Sequence, residues 1–342
     1  MVTIKEIAKA AGVSPATVSR ALSGSDKVTN KTRKLIERLA DELNYMPNYS
    51  AKALIGKGTS LVGLIVPEIS SNYFAQVIEY VESALYNRGY SLIMGTTGWD
   101  LNKGLETLKL MIGRNVDGII YADNSNMETG AYFQAERRLD NFPIVLLNRY
   151  GGTLTHESVV VEEAYGIDLL VKHFAKLGHR AIGYLGEEKS TAVRLPLFKQ
   201  ALSNAGLPYE EKFIKANGTE RFEEGGYLRM KELLAEDRLP TAVFATYDYF
   251  AIGALRAAHE AGLNIPRDLS IAGFDNIRET GYMIPTLTTV SPPIREMSNR
   301  AVDILIEKIN NPGSGNNHAV TAVYPSLIER ESTGAPGQIS ST

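Results

Sequence analysis

Near the amino end, Ala11-Gly12-Val13-Ser14-Pro15-Ala16-Thr17-Val18-Ser19-Arg20-Ala21-Leu22 leaves the backbone few choices. Ile4, Ile7, Ala8 and Ala11 recur at helical spacing, so a short helix with one apolar face precedes the turn, and Gly12 stops it. Ser14 is a good N-cap. Pro15 falls in a first helical turn, where its missing N–H would have no partner in any case, so a second helix opens there. Val18, Ala21 and Leu22 can face inward on it, which leaves Pro15, Ala16, Ser19 and Arg20 on the outer surface. Leu22-Ser23-Gly24 closes this helix. Thr29 then caps a third, whose Thr32, Leu35, Ile36, Leu39, Ala40 and Leu43 form an i, i+3, i+4 stripe. The spacing predicts a helix-turn-helix with its second helix turned to DNA. It also fits an inert three-helix bundle.

Charge separates these readings. Residues 1–60 carry ten Lys or Arg against five acids, a net of +5, whereas the whole chain is −3; residues 61–342 therefore carry −8. A basic head on an acidic body is the arrangement of a separate polyanion-binding module.

After the third helix, Met46-Pro47 makes a helix boundary. Ser50-Ala51-Lys52-Ala53-Leu54-Ile55 could form a second short helical element, ended by Gly56 and Gly58, or serve as a plain linker. So short a helix is marginal alone, so it is expected to order only when something packs on it.

From Leu61 the texture becomes alternating strand and helix. Strands are expected at 61–66, 92–95, 118–121 and 144–147, with helices around 74–88, 103–113 and 130–139. A second series has strands at 181–185, 213–216, 242–245 and 270–274, and helices at 163–177, 194–205, 224–235 and 249–261. This predicts an α/β core of two doubly wound parallel-sheet units. Residues 334–342 are a polar, small-residue tail with little to pack.

In such sheets ligands bind beyond the carboxyl ends of the strands. The residues there are Tyr73, Phe74, Trp99, Asp100, Asp123, Asn124, Asn148 and Arg149 in the first unit, and Arg194, Tyr247, Asp248, Asp275 and Asn276 in the second. Rings that cover C–H faces, beside groups that donate to and accept from hydroxyls, suit a polyhydroxylated ligand. Packing between the units would equally explain Trp99, Tyr73 and Phe74, and a salt bridge would explain Arg149.

The chain has no cysteine, which excludes disulfides, thiolate metal sites and cysteine nucleophiles. Its five histidines show no metal-ligand spacing, and surface or capping roles are expected for them. No metal and no cofactor is expected. No apolar run approaches a membrane span, and the amino end reads as a charged helix and not a signal sequence, so a cytoplasmic protein is expected. That also argues against a secreted sugar-binding or transport protein. An enzyme on this fold should show a phosphate loop or a nucleophile motif. Gly56-Lys57-Gly58-Thr59-Ser60 lacks that spacing and precedes a strand, so no catalytic residues are expected.

Several blocks, in order, resemble the lactose and galactose repressor family of bacterial transcription regulators over nearly the whole chain. They are Val2-Thr3-Ile4-Lys5-Glu6-Ile7-Ala8, Val13 to Arg20, Leu43-Asn44-Tyr45-Met46-Pro47-Asn48, Val116-Asp117-Gly118-Ile119-Ile120, Leu177-Gly178-His179-Arg180-Ala181-Ile182-Gly183, Pro240 to Ala245 and Gly273-Phe274-Asp275-Asn276. The resemblance implies a helix-turn-helix headpiece (1–46), a hinge helix (47–59) and a core like the periplasmic sugar-binding proteins. That core would comprise an N-subdomain (60–161 and 291–320) and a C-subdomain (162–290 and 321–333), with the chain crossing near Glu162, near Ser291 and near the final strands.

It further implies a homodimer on palindromic operator DNA, with a sugar-like effector bound between the subdomains and no catalytic role. Pro15, Ala16 and Arg20 match the family's base-reading positions, and Leu54 its minor-groove wedge. Thr3, Ser14, Thr17, Ser19, Asn30, Tyr45, Ala51, Lys52 and Lys57 complete the expected DNA contacts. Arg194 and Asp275 match effector-binding positions, on opposite sides of the crevice, and Tyr73, Phe74, Trp99, Asn148, Tyr247 and Asp248 complete that set. Asp303 stands where the catabolite-control subgroup has an arginine facing a phosphorylated partner; a like charge would repel the phosphate, so that partner is not expected.

Overall fold

The computed structural model describes residues 2–22, 25–45, 58–122, 142–147, 156–312 and 319–337. The chain divides into two compact units, 1–59 and 60–342. The expected helix at 130–139, the hinge residues Ala51, Lys52, Leu54 and Lys57, and Asn148 and Arg149 lie outside the described residues.

In the first unit α1 (Ile4–Ala11), α2 (Pro15–Leu22) and α3 (Asn30–Glu42) begin and end where the capping chemistry places them. Thr3 and Glu6 form a capping box, the Thr3 N–H donating to Glu6 Oε2 at 2.7 Å. Gly12 closes α1 at φ +67°, a left-handed conformation that glycine adopts without strain. Ser14 Oγ accepts from the Thr17 N–H at 3.2 Å, and Thr29 Oγ1 from that of Thr32 at 3.3 Å. Ile7, Ala8, Val18, Ala21, Val28, Ile36 and Ala40 make the core. The expected α3 stripe is narrower than its spacing suggested: Leu35 and Leu43 are exposed, because a core this small is closed by Ile36 and Ala40.

The second unit holds two six-stranded sheets. The first comprises β1 (Leu61–Val66), β2 (Ser91–Thr96), β3 (Gly118–Tyr121), β4 (Ile144–Leu147), β5 (Glu157–Val161) and β11 (Val320–Val323), in the order β11-β5-β4-β3-β1-β2, all parallel. The second comprises β6 (Ile182–Leu185), β7 (Ile214–Lys215), β8 (Ala242–Ala245), β9 (Ser270–Phe274), β10 (Thr288–Ser291) and β12 (Ser326–Ile328), in the order β12-β10-β9-β8-β6-β7. Only β12 runs antiparallel to its neighbour within the sheets described. Central strands such as β1, β3 and β4 are apolar almost throughout because helices cover both faces.

Helices α4 (Asn72–Tyr86), α5 (Leu101–Gly113) and α10 (Ile294–Asn310) pack on the first sheet. Those on the second are α6 (Glu163–Leu177), α7 (Glu188–Asn204), α8 (Phe222–Leu234) and α9 (Asp248–Glu260). Helix α7 starts six residues before its expected start at 194, because the Glu187 carboxylate caps it, accepting from the N–H groups of Lys189 (2.6 Å) and Ser190 (3.0 Å).

Three expectations are corrected. The last crossing was placed at 320/321, but that point falls inside β11, which pairs with β5 in the first sheet; the chain crosses between Val323 and Ser326. The tail from Gly334 was expected to have little to pack, yet its first residues strap the second sheet. Gly334 O accepts from His179 Nε2 at 2.8 Å and from Ser270 Oγ at 3.2 Å. The histidines are not merely superficial: His156, His173 and His179 are buried, and burial lowers the affinity of His173 and His179 for a proton. Among the described residues no helix is long and apolar enough to cross a membrane, and no His, Cys, Asp and Glu cluster could hold a metal ion. Asp303, on α10, pairs with Arg88 just after α4.

Candidate functional site

Two sites stand apart in the chain. In the first unit the N-terminal turn of α2 is the exposed element. Ser14 Oγ and Thr17 Oγ1 bond each other at 2.9 Å and fix the turn, so Pro15 and Ala16 stand out in solvent, and Arg20 lies one helical turn beyond Ala16 on the same face. Thr3 and Asn30 are exposed at the starts of α1 and α3, Thr17 and Ser19 are half-buried, and Tyr45 packs partly on the core while its N–H donates to Ala40 O at 2.8 Å. The structure thus brings the expected head residues to the ends of helices, where side chains and free N–H groups can meet base edges and phosphates.

The second site lies at the carboxyl ends of the strands. Arg194, on α7, is its centre. Its Nε and Nη2 donate to Glu163 Oε2 (3.0 Å) and Oε1 (2.6 Å), Nη1 donates to Thr246 O, and the guanidinium lies 4.2 Å from the centre of the Phe274 ring. Asp275 Oδ1 is 3.8 Å from Arg194 Nη2. The pair is therefore in direct electrostatic contact, and the expectation that the two face each other across the crevice is corrected: α7 carries Arg194 back over the end of β9. Burial pushes the Asp275 carboxyl up to about 7, against the attraction of Arg194, and the nearby charge of Glu163 adds to the rise. Asp275 and Asn276 have φ +111° and +49°, so this loop is held in a left-handed turn.

Asp248 is the agent that holds it. Expected as an effector contact, it is fully buried instead, its Oδ2 accepting from the Ile277 N–H (2.9 Å) and its Oδ1 from Thr289 Oγ1 (2.6 Å). Burial and the neighbouring Asp275 push its carboxyl well above the ordinary range. It shapes the loop that presents Asp275 and has no oxygen turned to a ligand. Tyr247 is likewise braced: its Oη accepts from the Phe222 N–H at 3.3 Å, its ring meets Phe250 edge-on at 4.9 Å, and burial raises its phenol. Tyr73 and Phe74 belong to the core of the first subdomain. Tyr73 Oη lies 3.9 Å from Met297 Sδ, and Phe74 meets Trp99 edge-on at 6.0 Å. These two therefore pack within the first subdomain, and not between the units as the packing alternative had it. Trp99 is half-buried, with Arg221 4.9 Å and Lys189 5.4 Å from its ring centre.

The sequence pattern gave no hint of Glu163, Glu68 or Arg221. Glu163 follows β5, an unrecognised strand whose two polar lead residues, Glu157 and Ser158, leave an apolar run of only three valines. Arg221 N-caps α8 by backbone only, and reaches Glu68 and Trp99 on the other subdomain, a long-range meeting with no local signal.

Two family models match the chain: bacterial regulatory proteins of the lacI family over residues 3–48, and the periplasmic binding protein-like domain over residues 171–333. The ribose operon repressor of Haemophilus influenzae is 34% identical over 336 residues, covering 97% of this chain and 98% of that protein. The HTH-type transcriptional repressor PurR of Pasteurella multocida is equally similar, 34% over 336 residues with the same two coverages. Among solved structures, the lac repressor dimer bound to operator and the anti-inducer ONPF superposes with a TM-score of 0.86 at 26% identity, over 98% of this chain and 99% of that one. A LacI family regulator from Enterococcus faecium with bound ribose gives 0.68 at 27% identity, over 80% and 99%. With relatives this similar over nearly its whole length and a headpiece that matches the family model, this chain belongs to the lacI family of bacterial regulatory proteins, which are DNA-binding transcriptional regulators.

Proposed function

We propose that the chain is a non-enzymatic repressor whose operator affinity is set by a small, neutral, polyhydroxylated effector held in the core crevice. The observation that carries this is the Arg194–Glu163–Asp275 cluster. The guanidinium is neutralised by the Glu163 bidentate bond and flanked by Asp275, so the cluster offers donors and acceptors to hydroxyls but no surplus positive charge to an anionic ligand. The relative named for a ribose operon and the neighbour holding ribose point the same way. In the headpiece Pro15, Ala16 and Arg20 read the major groove, with Thr3, Ser14, Thr17, Ser19, Asn30 and Tyr45 around them. Leu54, with Ala51, Lys52 and Lys57, serves the minor groove. Such a head covers one half-site, so two chains on a palindrome are the working unit. Tyr282 and Ile284, 80% and 97% exposed on adjacent turns of the second subdomain, are apolar groups a second copy would cover.

Titration calorimetry of the full chain against D-ribose, other neutral pentoses and hexoses, and purine bases tests the reading. Binding of a neutral sugar, weakened at least about tenfold by Arg194→Ala through loss of a charge-assisted bond, is the expected result. Binding of a purine base alone, or a sugar affinity indifferent to Arg194, overturns it.

A further inference from the structure

One contact joins the subdomains with more specificity than packing requires. Arg221, at the start of α8, donates through Nη1 to Glu68 Oε2 at 2.7 Å and through Nη2 to Glu68 Oε1 at 2.8 Å, a fork-to-fork pair between the second subdomain and the segment that follows β1 of the first. Both side chains are largely covered, Glu68 being 13% and Arg221 27% exposed. The same guanidinium lies against the Trp99 ring of the first subdomain and, at 4.6 Å, against Phe222 of the second. Nearby, the Asn72 N–H at the start of α4 donates to Tyr249 Oη of α9 at 3.3 Å. Although burial opposes it, the bond from Arg221 holds the Glu68 carboxyl below its ordinary range, so the pair is ionised at neutral pH.

We infer that Glu68 and Arg221 form a closure latch that sets the balance between closed and open arrangements of the two subdomains, whichever ligand the crevice takes. The argument is energetic. A bidentate guanidinium–carboxylate pair is strong and directional, and it exists only when the two subdomains approach closely enough for both bonds. Opening separates the partners and returns both to water, whereas removing one partner leaves the other partly covered and unpaired in the closed arrangement alone, which penalises closure. The neutral Asn72–Tyr249 bond is weaker, and on its own would leave closure soft. The latch lies outside the Arg194–Asp275 cluster. It therefore acts on the equilibrium that a ligand would shift, and need not touch the ligand.

The chain supplies its own reporter, because Trp99 is its one tryptophan, and its lack of cysteine allows two labels to be placed at will. Glu68→Gln and Arg221→Gln, alone and together, are compared in the full chain by acrylamide quenching of Trp99. Double electron–electron resonance between spin labels at Glu79→Cys on α4 and Glu224→Cys on α8, both exposed, gives the distance, with labelled chain diluted in unlabelled chain. Each single variant should shift the closed-to-open ratio by roughly tenfold, raising quenching and adding a longer distance, and the double variant should open no further than either single one. Unchanged distances in Glu68→Gln overturn the proposal. So does added quenching without added distance, which would mean that the pair only shields Trp99, and so does a double variant whose opening is the sum of the two singles.

Discussion

Asp275→Asn should stabilise the protein at neutral and alkaline pH while it weakens effector binding. Asn keeps the shape of the side chain and tolerates the left-handed backbone at φ +111° better than most residues, so the loop has no new steric reason to move. What changes is ionisation. The Asp275 carboxyl, ordinarily near 3.8, is pushed up to about 7 by burial despite Arg194 beside it. Between these pH values the folded chain keeps a proton that the unfolded chain releases, so stability falls as pH rises from about 4 to about 7 and then levels. The gap of about three pH units corresponds to about 4 kcal/mol. Arg194 retains its two bonds to Glu163 in the variant, so no buried cation is left alone. Asp248, pushed up by burial first and by the charge of Asp275 second, contributes a decline of the same sign, of which the variant keeps the part due to burial. Scanning calorimetry should therefore show nearly equal melting temperatures at pH 4 and a variant that melts roughly 5–10 °C higher at pH 8. A variant no more stable than the parent at pH 8, or an advantage that persists unchanged at pH 4, would refute the claim that burial of the charge dominates this site.

Arg20→Ala should cost about 1–3 kcal/mol of operator binding and relax specificity at one base pair per half-site, as a guanine contact does; equal weakening on every sequence in a binding-site selection would make Arg20 a phosphate contact. Leu54→Ala should reduce operator affinity and DNA bending together, read by gel-shift phasing, while calorimetry shows effector affinity unchanged; normal bending would remove the wedge role. Gly253→Ala should destabilise the core by about 1–3 kcal/mol or more in urea unfolding, because helices α8 and α9 cross so closely there that an added Cβ would lie 1.9 Å from Glu223 O, and backbone cannot step aside. A neutral effect would mean that the two helices can slide apart freely.

The sequence by itself determined what local chemistry can decide. Gly12, Ser14, Pro15 and Thr29 place the headpiece helices to the residue, because caps and left-handed turns are properties of a few neighbouring atoms. The apolar runs at 61–66, 118–121, 144–147, 242–245 and 270–274 gave the central parallel strands without displacement, since a strand covered on both faces must be apolar throughout. The strands that escaped, β5, β10, β11 and β12, lie toward the other ends of the sheets and carry serine, threonine or glutamate among their apolar residues, so their identity comes from the neighbour they pair with. The site divides in the same way. Arg194 and Asp275 were legible as candidates, as residue types after elements of a doubly wound core. That Glu163 takes the guanidinium, that Asp248 braces a loop and has no oxygen for a ligand, and that Glu68 meets Arg221 from the other subdomain, only tertiary structure decided. Each depends on which carboxylate is brought within about 3 Å of which donor, and on how much water is excluded there, and charge interactions at that range are set by distance and burial, which sequence separation does not encode.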